Sequence, residues 1–126
     1  MIVGVGVDVV EVARIQRAIA RWGDGFVRRI YTAREVERAA APAVLGPRLA
    51  ARFAAKEAVM KALGCGWREL TWREIEITHD PQGRPVVRLH GAAQRIAAAR
   101  GVVEVHVALS HTREHAIANA VAVGAG

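Results

Sequence analysis

Only two of the 18 basic residues of this chain are lysines, Lys56 and Lys61, and both fall in the stretch "RFAAKEAVMKALG", on either side of Glu57. A compact ammonium and arginine's planar fork are different tools, so lysine kept here amid arginine elsewhere points to a need for a point charge. From residue 53 to 64 every other position is apolar or glycine. A helix over these residues is therefore largely buried, where an unpaired charge is costly. Glu57 and Lys61 stand four apart in the favoured order for an ion pair, which on a helix surface is worth roughly 0.3–0.5 kcal/mol. In an apolar cleft the same two groups can serve chemistry. Asp8, closing the glycine-lined run "GVGVDV", supplies a second carboxylate. Two carboxylates plus substrate phosphates is the usual way to hold Mg²⁺, and an ammonium beside them neutralises phosphate charge. The histidines at 79, 90, 106, 111 and 115 show no H-E-x-x-H spacing, which argues against zinc. His106 reads as a structural residue inside a strand. His111 follows Ser110 at a hairpin, where it either reaches a ligand or satisfies the turn.

These side chains need elements to position them. In residues 2 to 9, Val3, Val5, Val7 and Val9 share one side of a period-two strand, and Gly4, Gly6 and Asp8 share the other. The run lacks the third glycine of a dinucleotide fingerprint. Its two glycines leave space for a close backbone approach, by a ligand or by a crossing helix. "EVARIQRAIARW" has helical period: Val12, Ile15, Ile19 and Trp22 form an apolar stripe, with Arg14, Arg17 and Arg21 opposite. That arginine stripe, continued by Arg28 and Arg29, is either a solvated face or a docking face for an acidic partner. Thr32 to Glu35 spells a capping box that opens a short helix, "AREVERAAA". Pro42 and Gly46-Pro47 are expected to break the chain before a long helix over about 48–63. "TWREIEI" and "PVVRL" read as strands about a Asp80-Pro81-Gln82-Gly83 turn, "AAQRIAAAR" as a helix, and "VVEVHVALS" and "HAIANAVAV" as a closing hairpin. Strands that follow one another through a tight hairpin, with helices gathered earlier, predict an α+β fold with antiparallel sheet.

With 126 residues the chain is expected to form a single domain, residues 1–126, and an apolar fraction of 52% is enough for a real core. One cysteine, Cys65, excludes an internal disulfide and a cysteine-based metal cluster and suits a reducing compartment. The apolar N-terminus lacks a basic leader, and no apolar run approaches the roughly 20 residues of a membrane span. A soluble, cytoplasmic protein is expected, with no membrane partner. The net charge of +6 favours acidic or phosphate-rich partners. Nucleic acid is not the expected one: a binding sheet interleaves aromatics with its basic residues, and this chain has few.

Taken together, "GVGVDVVEVARI", "RFAAKEAVMKALG", the "DPQGRPVV" turn and "VALSHTREHAIANAVA" resemble, in order and spacing, the bacterial holo-acyl-carrier-protein synthases, the short class of 4′-phosphopantetheinyl transferases. The likeness spans nearly the whole chain. It implies an antiparallel sheet wrapped on a long helix, the 4′-phosphopantetheinyl transferase fold. It also implies Mg²⁺-dependent transfer of phosphopantetheine from coenzyme A to a serine of an acidic apo-acyl carrier protein, in fatty-acid biosynthesis, with release of adenosine 3′,5′-bisphosphate. On the resemblance, Asp8 and Glu57 hold the metal, Lys61 contacts phosphate, and Ser110, His111 and Thr112 line the coenzyme A site. Glu57, Lys61 and His111 are the implied catalytic residues; whether Glu57, a water or another group takes the serine proton stays open. Arg14, Arg21 and Arg29 match the carrier-docking arginines. Lys56, about 100° round the helix from Glu57, falls to a structural or interfacial ion pair. Met60 and Arg84 stand where many relatives carry serine and lysine. A chain this short corresponds to one half of the longer transferases, so the implied assembly is a homotrimer with three interfacial sites. A coenzyme A-binding protein without turnover is the other reading these residues allow.

Overall fold

The computed structural model describes residues 1–36 and 42–126, side chains excepted at 42–44. The chain runs β1 (Ile2–Glu11), α1 (Val12–Trp22), α2 (Asp24–Ile30), α3 (Ala33–Val36), α4 (Pro42–Leu63), β2 (Ile75–His79), β3 (Pro85–Leu89), α5 (Gly91–Ala99), β4 (Val102–His111) and β5 (His115–Gly124). β1, β5 and β4 form an antiparallel three-stranded sheet in that order, and β2 pairs with β3 in a second, two-stranded one. The expected α+β class with antiparallel sheet on a long helix is the architecture found.

The sheet lies on α4 because its inner face is built from very small residues. Register places Gly4, Gly6, Asp8 and Val10 beside Ala122, Ala120, Ala118 and Ala116, and those four alanines are buried. A Cβ on Gly4 would come within 2.0 Å of the Ala62 carbonyl oxygen, and one on Gly6 equally close to that of Ala58. Both obstacles are helix backbone and cannot swing aside. The glycine face thus receives the central helix, and of the two occupants the sequence left open, the helix is the one present at Gly4 and Gly6. α4 is correspondingly apolar on nearly all sides, with Ala54, Ala55, Ala58 and Val59 fully buried.

Two boundaries differ from expectation. α4 starts at Pro42 and runs through Gly46-Pro47 without a break. Pro42 suits the first helical position, where its missing N–H has no partner to lose, whereas Pro47 lies inside the helix and gives up one ladder hydrogen bond. Gly46 has a packing role as well, since a Cβ there would meet the Gln16 side chain of α1 at 2.6 Å. The start of "TWREIEI" is a 3₁₀ turn, Trp72–Glu74, because Glu74 accepts hydrogen bonds from the Thr71 N–H (2.7 Å) and hydroxyl (3.1 Å) before the strand begins. Of the helix expected at "AREVERAAA", Ala33–Val36 is helical with its capping box formed, Thr32 N–H to Glu35 Oε1 at 2.8 Å. Residues 37–41 lie outside the described residues.

A full ion pair lies within the core. Lys56 and Glu35 are both sealed from solvent, 2.8 Å apart. The ammonium also donates to the carbonyls of Trp72 (3.1 Å) and Ile75, while Glu35 Oε2 accepts from the Ile77 N–H at 2.9 Å. All three ammonium protons and both carboxylate oxygens are used, which is what makes a buried pair tolerable. This network ties α4 to α3 and β2. It also sets the rotation of α4, so that the next residue, Glu57, turns towards β1.

Candidate active site

Asp8 sits on the inner face of β1, and its carboxylate emerges at the flank of α4. Lys61 Nζ lies 3.2 Å from Asp8 Oδ1 and donates to the Val7 carbonyl at 3.0 Å. The ion pair that forms is therefore Lys61–Asp8 and not the i,i+4 pair with Glu57, because β1 brings a carboxylate closer to the ammonium than the helix does. Half of the Lys61 side chain remains exposed. Glu57 is half-buried, and its carboxyl is pushed above the usual range, first by burial and then by the Asp8 charge; Trp67, Lys61 and Arg14 pull it back down. Asp8, Glu57, Lys61 and Arg14 thus share one small field.

Two carboxylates close enough to raise a proton affinity form a hard, all-oxygen donor set whose mutual repulsion a cation relieves. That chemistry fits Mg²⁺, which takes few protein ligands and keeps water and phosphate oxygens for the rest. Among the described residues no group of three or more His, Cys, Asp or Glu gathers, so the chain itself offers this pair and no larger cage.

The other predicted residues lie apart. His111 ends β4 and lines a cavity of about 400 Å³ with Arg48, Arg52 and His79. Arg52 donates from Nε to the Ile77 carbonyl (3.1 Å), and its Nη2 lies 3.2 Å from His79 Nδ1. Ser110, one residue earlier on the strand, faces the opposite side and borders a depression of about 210 Å³ with Val7 and Ile117. Thr112 is occupied by the hairpin: its hydroxyl oxygen accepts from the N–H groups of Glu114 (3.3 Å) and His115 (3.1 Å). The structure brings Asp8, Glu57 and Lys61 together, and sets Ser110, His111 and Thr112 in three different surroundings. A larger cavity, about 780 Å³ between β3 and β4, contains none of the predicted residues.

Helical geometry explains the separation. Arg48 and Arg52 precede Glu57 and Lys61 by nine residues each, which at 100° per residue is about half a turn of difference, so the two pairs project from opposite flanks of α4. β1 and β4 are likewise the two edges of the sheet. One flank carries the carboxylates, the other a basic cavity. Arg48, Arg52 and His79 were not anticipated, although the nine-residue offset was readable. Trp67, beside Glu57, had no signal in the sequence.

Among the docking arginines, Arg14 places its guanidinium 5.8 Å from the centre of the Phe53 ring, next to the carboxylate pair. Arg21 lies 4.9 Å from the Trp22 ring. Trp22, expected in the apolar stripe of α1, is 61% exposed, whereas Val12 and Ile15 of the same stripe are buried. Arg29 is exposed in the last turn of α2.

The family model for the 4′-phosphopantetheinyl transferase superfamily matches residues 4–120. The chain belongs to that superfamily and is a transferase. It groups there with the holo-[acyl-carrier-protein] synthases: the one from Koribacter versatilis is 45% identical over 122 residues, covering 96% of this chain and 98% of that protein. Among solved structures, the holo-ACP synthase of Plasmodium yoelii superposes with a TM-score of 0.88 at 30% identity, covering 100% of this chain and 98% of that one. The holo-(acyl-carrier-protein) synthase of Bacillus anthracis, solved in complex with CoA (3′,5′-ADP), gives a TM-score of 0.81 at 34% identity, with 99% of both chains covered.

Proposed function

We propose that this chain transfers the 4′-phosphopantetheine group of coenzyme A to a serine of an acidic apo-acyl carrier protein, in the cytoplasm and in the service of fatty-acid biosynthesis. The observation that carries the reading is the meeting of Asp8, Glu57 and Lys61 at one flank of α4. In the reaction the serine oxygen attacks the phosphorus that bears pantetheine. The bond from that phosphorus to the bridging oxygen breaks, adenosine 3′,5′-bisphosphate departs with the electron pair, and the serine proton passes to a base. When bound, Mg²⁺ would be held by Asp8 and Glu57 and would draw charge from the diphosphate, easing departure of the bisphosphate. Lys61 uses two of its three ammonium protons on Asp8 and Val7, which leaves one to donate to a phosphate oxygen. The protein's part is positioning and charge neutralisation, as phosphoryl transfer requires.

Intact mass of an apo-acyl carrier protein after incubation with this protein, Mg²⁺ and coenzyme A tests the reading. A gain of one phosphopantetheine, lost when EDTA is added, is expected; no gain with several carriers would overturn it in favour of binding without turnover.

Docking is assigned to Arg14, Arg21 and Arg29, with Arg14 nearest the carboxylates. Arg14→Glu is expected to raise the KM for carrier at least about tenfold while the KM for coenzyme A moves little, since like charges across an interface mainly affect encounter and register. Equal changes in both constants would argue against docking.

Two features support an assembly with sites shared between subunits, such as the homotrimer that the family likeness implies. Each chain holds its carboxylates and its basic cavity on opposite flanks, so two copies complete a site by joining one flank of each. The outer face of the sheet is also unusually apolar for open surface, with Val5, Val7, Val9 and Ile117 between 44% and 66% exposed. A shared site predicts complementation. Glu57→Gln and the Arg52→Ala/His111→Ala double variant, each inactive, should on mixing and reassembly recover about a quarter of wild-type activity, the share of interfaces with both halves intact in a closed ring. No recovery would place both halves of the site in one chain.

A further inference from the structure

Trp67 is held in a stack. Its ring lies 3.7 Å from that of Trp72, at 24° between planes, and Trp72 in turn stacks on Phe53 at 4.6 Å. Trp72 is itself pinned through its carbonyl by the buried Lys56 ammonium, so the Trp67 indole has little freedom to turn. Its Nε1–H is sealed from solvent and has no hydrogen-bond partner, alone among the buried side-chain polar atoms of the described residues. Orphaned buried donors of this kind are rare and call for an explanation. The carboxylate it addresses is Glu57: the N–H falls outside full hydrogen-bonding geometry but is near enough to lower that group's proton affinity.

We propose that Trp67 is a positioning residue for Glu57, its fixed indole N–H closing on one carboxylate oxygen when the other takes up the cation. The inference rests on the metal reading of Asp8 and Glu57 given above. A carboxylate that ligates with one oxygen leaves the other in need of a donor, and outer donors of this kind orient the ligand and tune its basicity. Here the donor is rigid and the carboxylate is the part that moves. On loading, the orphan and the free oxygen of Glu57 would satisfy each other. Lys56 contributes indirectly, since it anchors the stack that aims the indole.

Trp67→Phe keeps an aromatic ring in the stack and removes the N–H donor together with the rest of the five-membered ring. Mn²⁺ binding in the presence of coenzyme A, followed by the electron paramagnetic resonance of free Mn²⁺, is expected to weaken about tenfold or more in this variant, with a cooperative melt and only a modest fall in Tm from the smaller ring. In the wild-type chain, the indole ¹⁵N–¹H signal that Trp67→Phe removes should move downfield on addition of Mg²⁺ and coenzyme A. Unchanged Mn²⁺ affinity in Trp67→Phe, or an indole signal that stays in place on loading, overturns the role of Trp67. Asp8→Ala separates the two levels of the argument: wild-type Mn²⁺ binding that this variant abolishes upholds the metal site whatever Trp67 does, whereas a wild-type chain that binds no Mn²⁺ removes the metal reading and the Trp67 role together.

Discussion

Glu57→Gln is expected to lower kcat by roughly 10³-fold and to leave the fold in place. The substitution is isosteric, and the half-buried Glu57 carboxyl already carries an energetic burden from burial and from Asp8. Removing its charge relieves that repulsion, so stability should hold or rise slightly. On the proposed function, catalysis loses one of the two carboxylates that would hold the cation neutralising the diphosphate. Several kcal/mol of charge stabilisation go with it, and each 1.36 kcal/mol is a factor of ten in rate. The check is kcat at saturating coenzyme A and carrier beside a thermal melt. Near wild-type turnover with an intact melt would remove Glu57 from the site. The contrast with Lys61 is informative, since Lys61 is half-exposed and already paired with Asp8. Its loss should act on phosphate contact and leave the carboxylates able to bind a cation.

Lys56→Ala, one residue away, should do the opposite. Its expected cost is about 3–5 kcal/mol of stability, because Glu35 would be left as a buried charge without its counter-ion. The carbonyls of Trp72 and Ile75 would lose their donor at the same time. For a chain of this size the loss corresponds to a fall of roughly 10–20 °C in Tm, taking a few degrees per kcal/mol. Burial dominates the Lys56 ammonium itself, lowering its pKa against the pull of Glu35. The pair is therefore no surplus of stabilising charge, and replacing both partners, as in Lys56→Met/Glu35→Leu, should restore much of what the single variant loses. Denaturation midpoints at fixed protein concentration decide the matter, since assembly shifts apparent stability by mass action. A single variant that melts with the wild type would mean that solvent reaches Glu35. The two lysines that stand out in the sequence thus have separate purposes, one inside the core and one at its edge.

Much of this was written in local pattern. Alternating valines marked β1, Thr32 and Glu35 marked a helix start, and the apolar surroundings of Lys56, Glu57 and Lys61 marked a buried helix with a charged flank. Such signals survive because they depend on residues two to four apart, which the backbone period alone brings to one face. The motifs around Asp8 and Glu57 carried the family likeness in the same way. What the pattern could not contain was which faces meet. A glycine face on a strand is the same string whether a ligand or a helix rests on it, and only the packed chain put the Ala58 and Ala62 carbonyls there. Ion-pair choice was equally beyond local reading, since Lys61 met Asp8 across 53 residues in preference to Glu57 across four. Trp22 followed the apolar period of α1 and still emerged into solvent, while Val12 and Ile15 of the same stripe are buried. The separation of His111 from the carboxylates and the stacking of Trp67 on Trp72 depend on strand order, helix rotation and a packed core. Those are long-range contacts, determined by how the whole chain excludes water, and they became visible only in the tertiary structure.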